Sequence, residues 1–71
     1  MVNALVARQR RRLLELSQAE VARKIGVDRR TVIAWEAGEM QPSLENAVAW
    51  AKAIDLELAD LVTEAAGERA S

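Results

Sequence analysis

Apolar residues recur along this chain at three- and four-residue intervals, in short stretches punctuated by capping residues and glycines. That is the helical period, in which positions i, i+3 and i+4 share a face. Val2, Leu5, Val6, Leu13 and Leu14 predict an apolar stripe on a first helix from about Asn3 to Leu14, with Arg8, Gln9, Arg11 and Arg12 largely beside it. Ser17-Gln18-Ala19-Glu20 reads as a capping box opening a second helix. The serine oxygen accepts the amide three residues on, and the glutamate reaches back to the serine amide. Val21, Ala22 and Ile25 form the inner face of this helix, and Gly26 ends it, because glycine adopts a left-handed backbone without a Cβ clash.

One residue later Asp28 is placed to cap a third helix, Arg29 to Glu36, with Val32 and Trp35 inward and Arg29, Arg30, Ile33 and Ala34 toward the other side. Gly38 closes it and residues 39–42 form a loop. Ser43 caps a fourth helix, on which Leu44, Ala47, Val48, Ala51 and Ile54 line up inward with Trp50 at the edge of that face. A break near residues 55–57 leads to a fifth helix from Leu58 to about Ala65, striped by Leu58, Leu61 and Val62. Residues 67–71 have nothing to bury and are expected to fray. Helix formers dominate and β-branched residues are scattered, so the expectation is an all-α chain with one five-helix domain over residues 1–66.

Composition narrows the chemistry. Within 71 residues there is neither cysteine nor histidine, which excludes a disulfide framework, zinc-finger spacings and any nucleophile–histidine triad. A chain this short has little material to wall a substrate pocket of about 300 Å³. No enzymatic activity, cofactor or metal is expected. There is no apolar run of membrane-spanning length and no leader pattern, so a cytoplasmic protein without membrane association is expected.

The net charge of −1 conceals a division. Residues 1–30 carry eight basic residues against three acidic ones, a net +5, and residues 31–71 carry two against eight, a net −6. A basic half implies a face for an anionic partner, although arginines that merely solvate helix surfaces give the same count. The run Arg8–Arg12 circles its helix, which suits solvated surface as well as a nucleic-acid patch. Trp35 and Trp50 could stack bases, but both lie on or beside inward stripes and read as core.

The two helices around Gly26 are joined too tightly to pack antiparallel and must cross steeply, with small Ala22 at the crossing. The third helix then stands clear, with Arg29 and Arg30 at its outward end, and an α-helix fits the major groove of B-DNA. Leu16-Ser17-Gln18-Ala19-Glu20-Val21-Ala22-Arg23-Lys24-Ile25-Gly26-Val27, with Thr31-Val32, Trp35-Glu36 and Gly38, resembles the Cro/C1 (XRE) helix-turn-helix family. Pro42-Ser43-Leu44-Glu45 and Ala51-Lys52-Ala53-Ile54 are similar to the same family's fourth helix. The resemblance covers about residues 5–62, with the helix-turn-helix at about 17–37.

It implies a lambda-repressor-like five-helix domain that binds double-stranded DNA, commonly as a homodimer, and regulates transcription, more often as a repressor. By the same resemblance Arg29, Arg30, Ile33 and Ala34 face bases; Gln18, Thr31 and Arg11 face phosphates; and Glu36 pairs with Arg11. Ala22, Gly26 and Trp35 are structural, and Leu58, Leu61 and Val62 are either the lid of the core or a dimer interface. The chain departs from the family pattern at several points. Asp28 replaces a Ser or Thr cap, Ala37 replaces a frequent phosphate-binding Asn, and Glu15 and Asp55 replace glycines at helix ends. The 39–42 loop lacks a basic residue, and the pI of about 5.4 is low for a DNA binder. Two other readings therefore stand beside the regulator: an antitoxin or controller that also binds a small partner protein, and an interaction module that has lost DNA binding.

Overall fold

The computed structural model describes residues 2–62. Five helices follow in order: α1 (Ala4–Leu13), α2 (Gln18–Ile25), α3 (Arg29–Glu36), α4 (Leu44–Ala53) and α5 (Leu58–Leu61). The expected extension of the fifth helix to Ala65 and the 67–71 tail lie outside the described residues. None of the described helices is long and apolar enough to cross a membrane.

Local chemistry sets most of the boundaries. Asn3 caps α1 by accepting the Val6 amide, and Ser43 caps α4 by accepting that of Asn46. At α2 the box is complete: the Glu20 N–H donates to Ser17 Oγ at 3.0 Å, and the Ser17 N–H donates to Glu20 Oε1 at 2.7 Å. The Ser17 N–H bond, then that of the Ser17 hydroxyl, then the charges of Arg23 and Lys24 hold the Glu20 carboxyl below its ordinary 4.5. A carboxyl more acidic in the folded than in the unfolded chain stabilises fully above about 4.5 and loses its contribution as pH falls through the folded value. Acid titration of the thermal midpoint should show this loss below 4.5; Glu20→Gln should remove it, and Ser17→Ala, which keeps the backbone N–H, should only reduce it. An Asp28 side-chain cap was expected for α3; the residue holds the N-cap position, but its side chain makes no capping bond. Its backbone carbonyl accepts the Thr31 N–H at 2.9 Å instead.

The core joins Ala7, Val21, Ala22, Val32, Trp35, Trp50, Ala51, Ile54 and Leu61. The two indole rings lie 5.0 Å apart and tilted by 40°, within the roughly 4.5–7 Å range of favourable aromatic pairs. Trp50, expected at the edge of the α4 face, is fully buried, whereas Leu44, expected inward, is 73% exposed because it stands on the first turn of α4, beyond the core. Leu61 is likewise enclosed in the monomer core and is not available as a dimer contact; Leu58 and Val62 are half-buried.

The expected apolar stripe of α1 is also corrected: Leu5, Leu13 and Leu14 are exposed, Leu13 by 71%, and the buried residue is Ala7. One turn on from Ala7 the inward positions carry Arg10 and Arg11. Arg10 Nε donates to the Ile54 carbonyl and Nη2 to that of Asp55, each at 3.1 Å, closing the C-terminus of α4. A guanidinium there satisfies carbonyls that the helix leaves unpaired and sits at the negative end of its dipole.

Two turns carry strain. Glu15 has φ 58° and Asp55 has φ 61°, in the left-handed region that a Cβ disfavours. Glu15→Gly and Asp55→Gly should each stabilise the fold by about 1 kcal/mol, the steric gain outweighing glycine's entropy cost. The gain should be larger at Glu15, because aspartate tolerates this region better than glutamate. In a domain of this size it corresponds to a rise of roughly 4–8 °C in thermal midpoint. An unchanged midpoint would show that these turns are unstrained.

Candidate nucleic-acid interface

Gly26, with φ 92°, ends α2, and its N–H and that of Val27 both donate to the Ala22 carbonyl, at 2.8 and 3.0 Å. Val27 packs against the core, Asp28 is extended, and α3 begins at the next residue. The chain therefore passes from α2 to α3 within three residues, with buried Ala22 on the α2 side of the turn. Val32 and Trp35 anchor α3. Its other side carries Arg29 and Arg30, both exposed, then half-buried Thr31, Ile33 and Ala34, and exposed Ala37 at its C-cap. The residues expected to face bases thus stand together on one open helical face.

The far end of α3 is tied to the other two helices by a buried charge. Glu36 is the one buried charged residue among the described residues, its side chain only 3% exposed. Arg11 Nε donates to its Oε2 at 2.6 Å and Nη2 to its Oε1 at 3.1 Å. Gln18 Nε2 donates to the same Oε1 at 3.1 Å, and Arg11 Nη1 donates to the Leu16 carbonyl at 2.8 Å. One carboxylate therefore fixes α1, the start of α2 and the end of α3 relative to one another. Charge-assisted, forked bonds of this kind are strong and directional.

The expected Arg11–Glu36 pair is present. Arg11 is 12% exposed, and these bonds take three of its five N–H donors, so its first duty is to the fold. Gln18 likewise buttresses α3.

Beside this network lies a concavity of about 200 Å³, lined by Arg8, Arg11, Arg12, Gln18, Ile33, Glu36 and Ala37. Arg8 Nε itself is buried and without a hydrogen-bond partner. From the sequence, Arg8 and Arg12 suit solvated surface as well as a nucleic-acid patch. Their spacing from Arg11 within a single turn was the available signal, but only the crossing of α1 with α3 gives that face a wall. Among the described residues no group of acidic side chains is arranged to hold a metal ion.

A family model described as Helix-turn-helix matches residues 8–61, most of the chain. The chain belongs to the Cro/C1-type helix-turn-helix family. Proteins of this family are DNA-binding transcriptional regulators and not enzymes. This helix-turn-helix protein is 41% identical over 51 residues to an uncharacterized HTH-type transcriptional regulator of Methanocaldococcus jannaschii, covering 72% of this chain and 77% of the relative. Among solved structures it is similar to the P22 c2 repressor in complex with a synthetic operator, with a TM-score of 0.82, 28% identity, and coverage of 89% of this chain and 96% of that one. It is also similar to the restriction-modification controller protein C.AhdI of Aeromonas hydrophila, with a TM-score of 0.78, 34% identity, and coverage of 82% and 88%. The five-helix architecture of this helix-turn-helix regulator is that of the lambda-repressor-like DNA-binding domains.

Proposed function

We propose that the protein is a sequence-specific repressor that binds operator DNA as a homodimer, with α3 in the major groove. The observation that carries this reading is the open outward face of α3, with two exposed guanidinium groups at its leading end and its trailing end locked by Glu36. Arg29 and Arg30 would take guanine O6 and N7, the side-chain pairing most often used in the major groove. Ile33 and Ala34 would meet thymine methyl groups, and Thr31 and Gln18 would meet phosphates. Similarity to an operator-bound repressor supports the same pose.

Residues 1–66 would form the single domain, and Leu58 and Val62 would supply the dimer contact. Two copies would address half-sites one helical turn, about 34 Å, apart. Occupying such an operator excludes polymerase, in the cytoplasm and on the nucleoid.

Selection of bound sites from a random duplex pool tests the proposal. It should return inverted repeats with centres about 10 base pairs apart. Enrichment of unpaired sites would overturn the dimer, and no enrichment would overturn sequence-specific binding. A second reading, a controller protein that also docks a small protein partner, is favoured by the 34% identity to a restriction-modification controller. Its docking surface would be the acidic half, and a small basic protein co-purifying with the chain would support it.

A further inference from the structure

We propose that the groove between α2 and α4 is a docking site for an acidic helix of a partner protein, with Lys24 and Lys52 holding its carboxylates. The inference goes beyond the DNA-binding reading and does not depend on it. The groove is an open concavity of about 300 Å³ lined by Lys24, Ala49, Lys52 and Ala53. Both lysines are exposed and both alanines half-buried, so the space is reached from solvent. Two cations and no acid line it, and among the described residues neither ammonium has an ion-pair partner. Glu20 stands one turn before Lys24, but its carboxylate is held by the Ser17 N–H at 2.7 Å. Glu45, one turn before Ala49, does not line the space. Each lysine lies in the last turn of its helix, where a positive charge steadies the helix dipole. That explains a lysine at each helix end, but not their convergence on one space floored by alanines.

The surroundings select the occupant. Lys52 is the only basic residue between positions 31 and 62, against six acids, of which all but Glu36 are exposed. A duplex carries a charge about every 1.7 Å of its axis and would run from the lysines onto these carboxylates. A protein segment presents its carboxylates locally and avoids that repulsion. A helix places two of them on one face, three or four residues apart. Ala49 and Ala53 are themselves one turn apart on α4, and side chains this small let a second helix approach closely. Laying a helix into such a groove is a recurring mode of recognition. None of Arg29, Arg30, Ile33 and Ala34 lines the space, so a partner seated here leaves the outward face of α3 open.

The test uses the full ¹⁵N-labelled chain and three separate probes at about 50 mM salt, where exposed charges are only partly screened. The probes are an alanine-based helical peptide with glutamates at i and i+4 along one face, its glutamine analogue, and a short random DNA duplex. The glutamate peptide should move the amide resonances of Lys24, Ala49, Lys52 and Ala53 to saturation, and the glutamine analogue should not. Lys24→Gln with Lys52→Gln should weaken the peptide about tenfold, the combined effect of two exposed ion pairs. The dispersed amide spectrum of that variant should remain that of the folded chain, since both side chains are exposed. Lys24→Arg with Lys52→Arg should retain binding.

Peptide-induced shifts around Arg29 and Arg30 in place of the groove would overturn the site, as would an affinity untouched by the double glutamine variant. No shift at roughly millimolar peptide would do the same. Groove resonances that move with duplex and not with peptide would make the occupant a nucleic acid and overturn the protein assignment.

Discussion

Replacing Glu36 with alanine should destabilise the protein by about 3–5 kcal/mol, the range for removing one member of a buried ion pair. The loss is large because it strands others: Arg11 keeps its charge at 12% exposure with only the Leu16 carbonyl as partner, and Gln18 loses its acceptor. Against the roughly 4–10 kcal/mol expected for a domain of this length, such a change removes most of the stability. Urea unfolding should show the midpoint collapse with the slope unchanged. The double variant Arg11→Met with Glu36→Leu should recover most of the stability, since apolar replacement of a whole buried pair is often neutral or better. It should nonetheless bind DNA less well, because nothing then fixes the trailing end of α3 against Gln18. A loss under about 1 kcal/mol for Glu36→Ala would mean that the pair behaves as a surface salt bridge.

The same residue shows what the sequence could and could not convey. The bounds of α3, the Ser17 and Ser43 caps and the left-handed turn at Gly26 rest on interactions within a few residues, and all were legible. So was the strain at Glu15 and Asp55, through the glycines that the family places there. The inner face of α1 was not. Periodicity counts leucines inward and arginines outward, yet Arg10 and Arg11 turn inward because the end of α4 and Glu36 give their nitrogens partners. Leucines were displaced to the surface as a consequence.

Asp28 failed differently: its type and position suit a cap, but the backbone carbonyl takes the Thr31 amide instead. Trp50 sits at the edge of a helical wheel and still becomes fully buried, because Trp35 from α3 covers it. The arginine-lined concavity depends on three helices meeting, which no local pattern encodes. Arg11, proposed from family resemblance as a phosphate ligand, is for the same reason a poor probe of DNA contact, since its removal would disturb the fold first.

Arg29→Glu should abolish sequence-specific binding while leaving the fold intact. Arg29 is exposed and outside the Glu36 network, so its replacement should alter stability by no more than about 0.5 kcal/mol. A bidentate arginine–guanine contact gives roughly 1–3 kcal/mol of discrimination, and a dimer makes it twice, so even Arg29→Ala should erase about 2–6 kcal/mol of preference for operator over random duplex. At one decade per 1.4 kcal/mol that is about 30-fold at the low end. Charge reversal adds repulsion from the backbone phosphates and should carry the loss beyond detection in competition mobility shifts.

The informative comparison is the pattern of loss rather than its size. Arg29→Ala should relax selection at one position of each half-site, with affinity for random duplex falling much less. Thr31→Ala, at a proposed phosphate contact and outside the Glu36 network, should weaken operator and random duplex by the same factor. If Arg29→Ala instead lowers both affinities equally, the guanidinium lies on the backbone, and base reading must be reassigned to Arg30 or to the flank of α3.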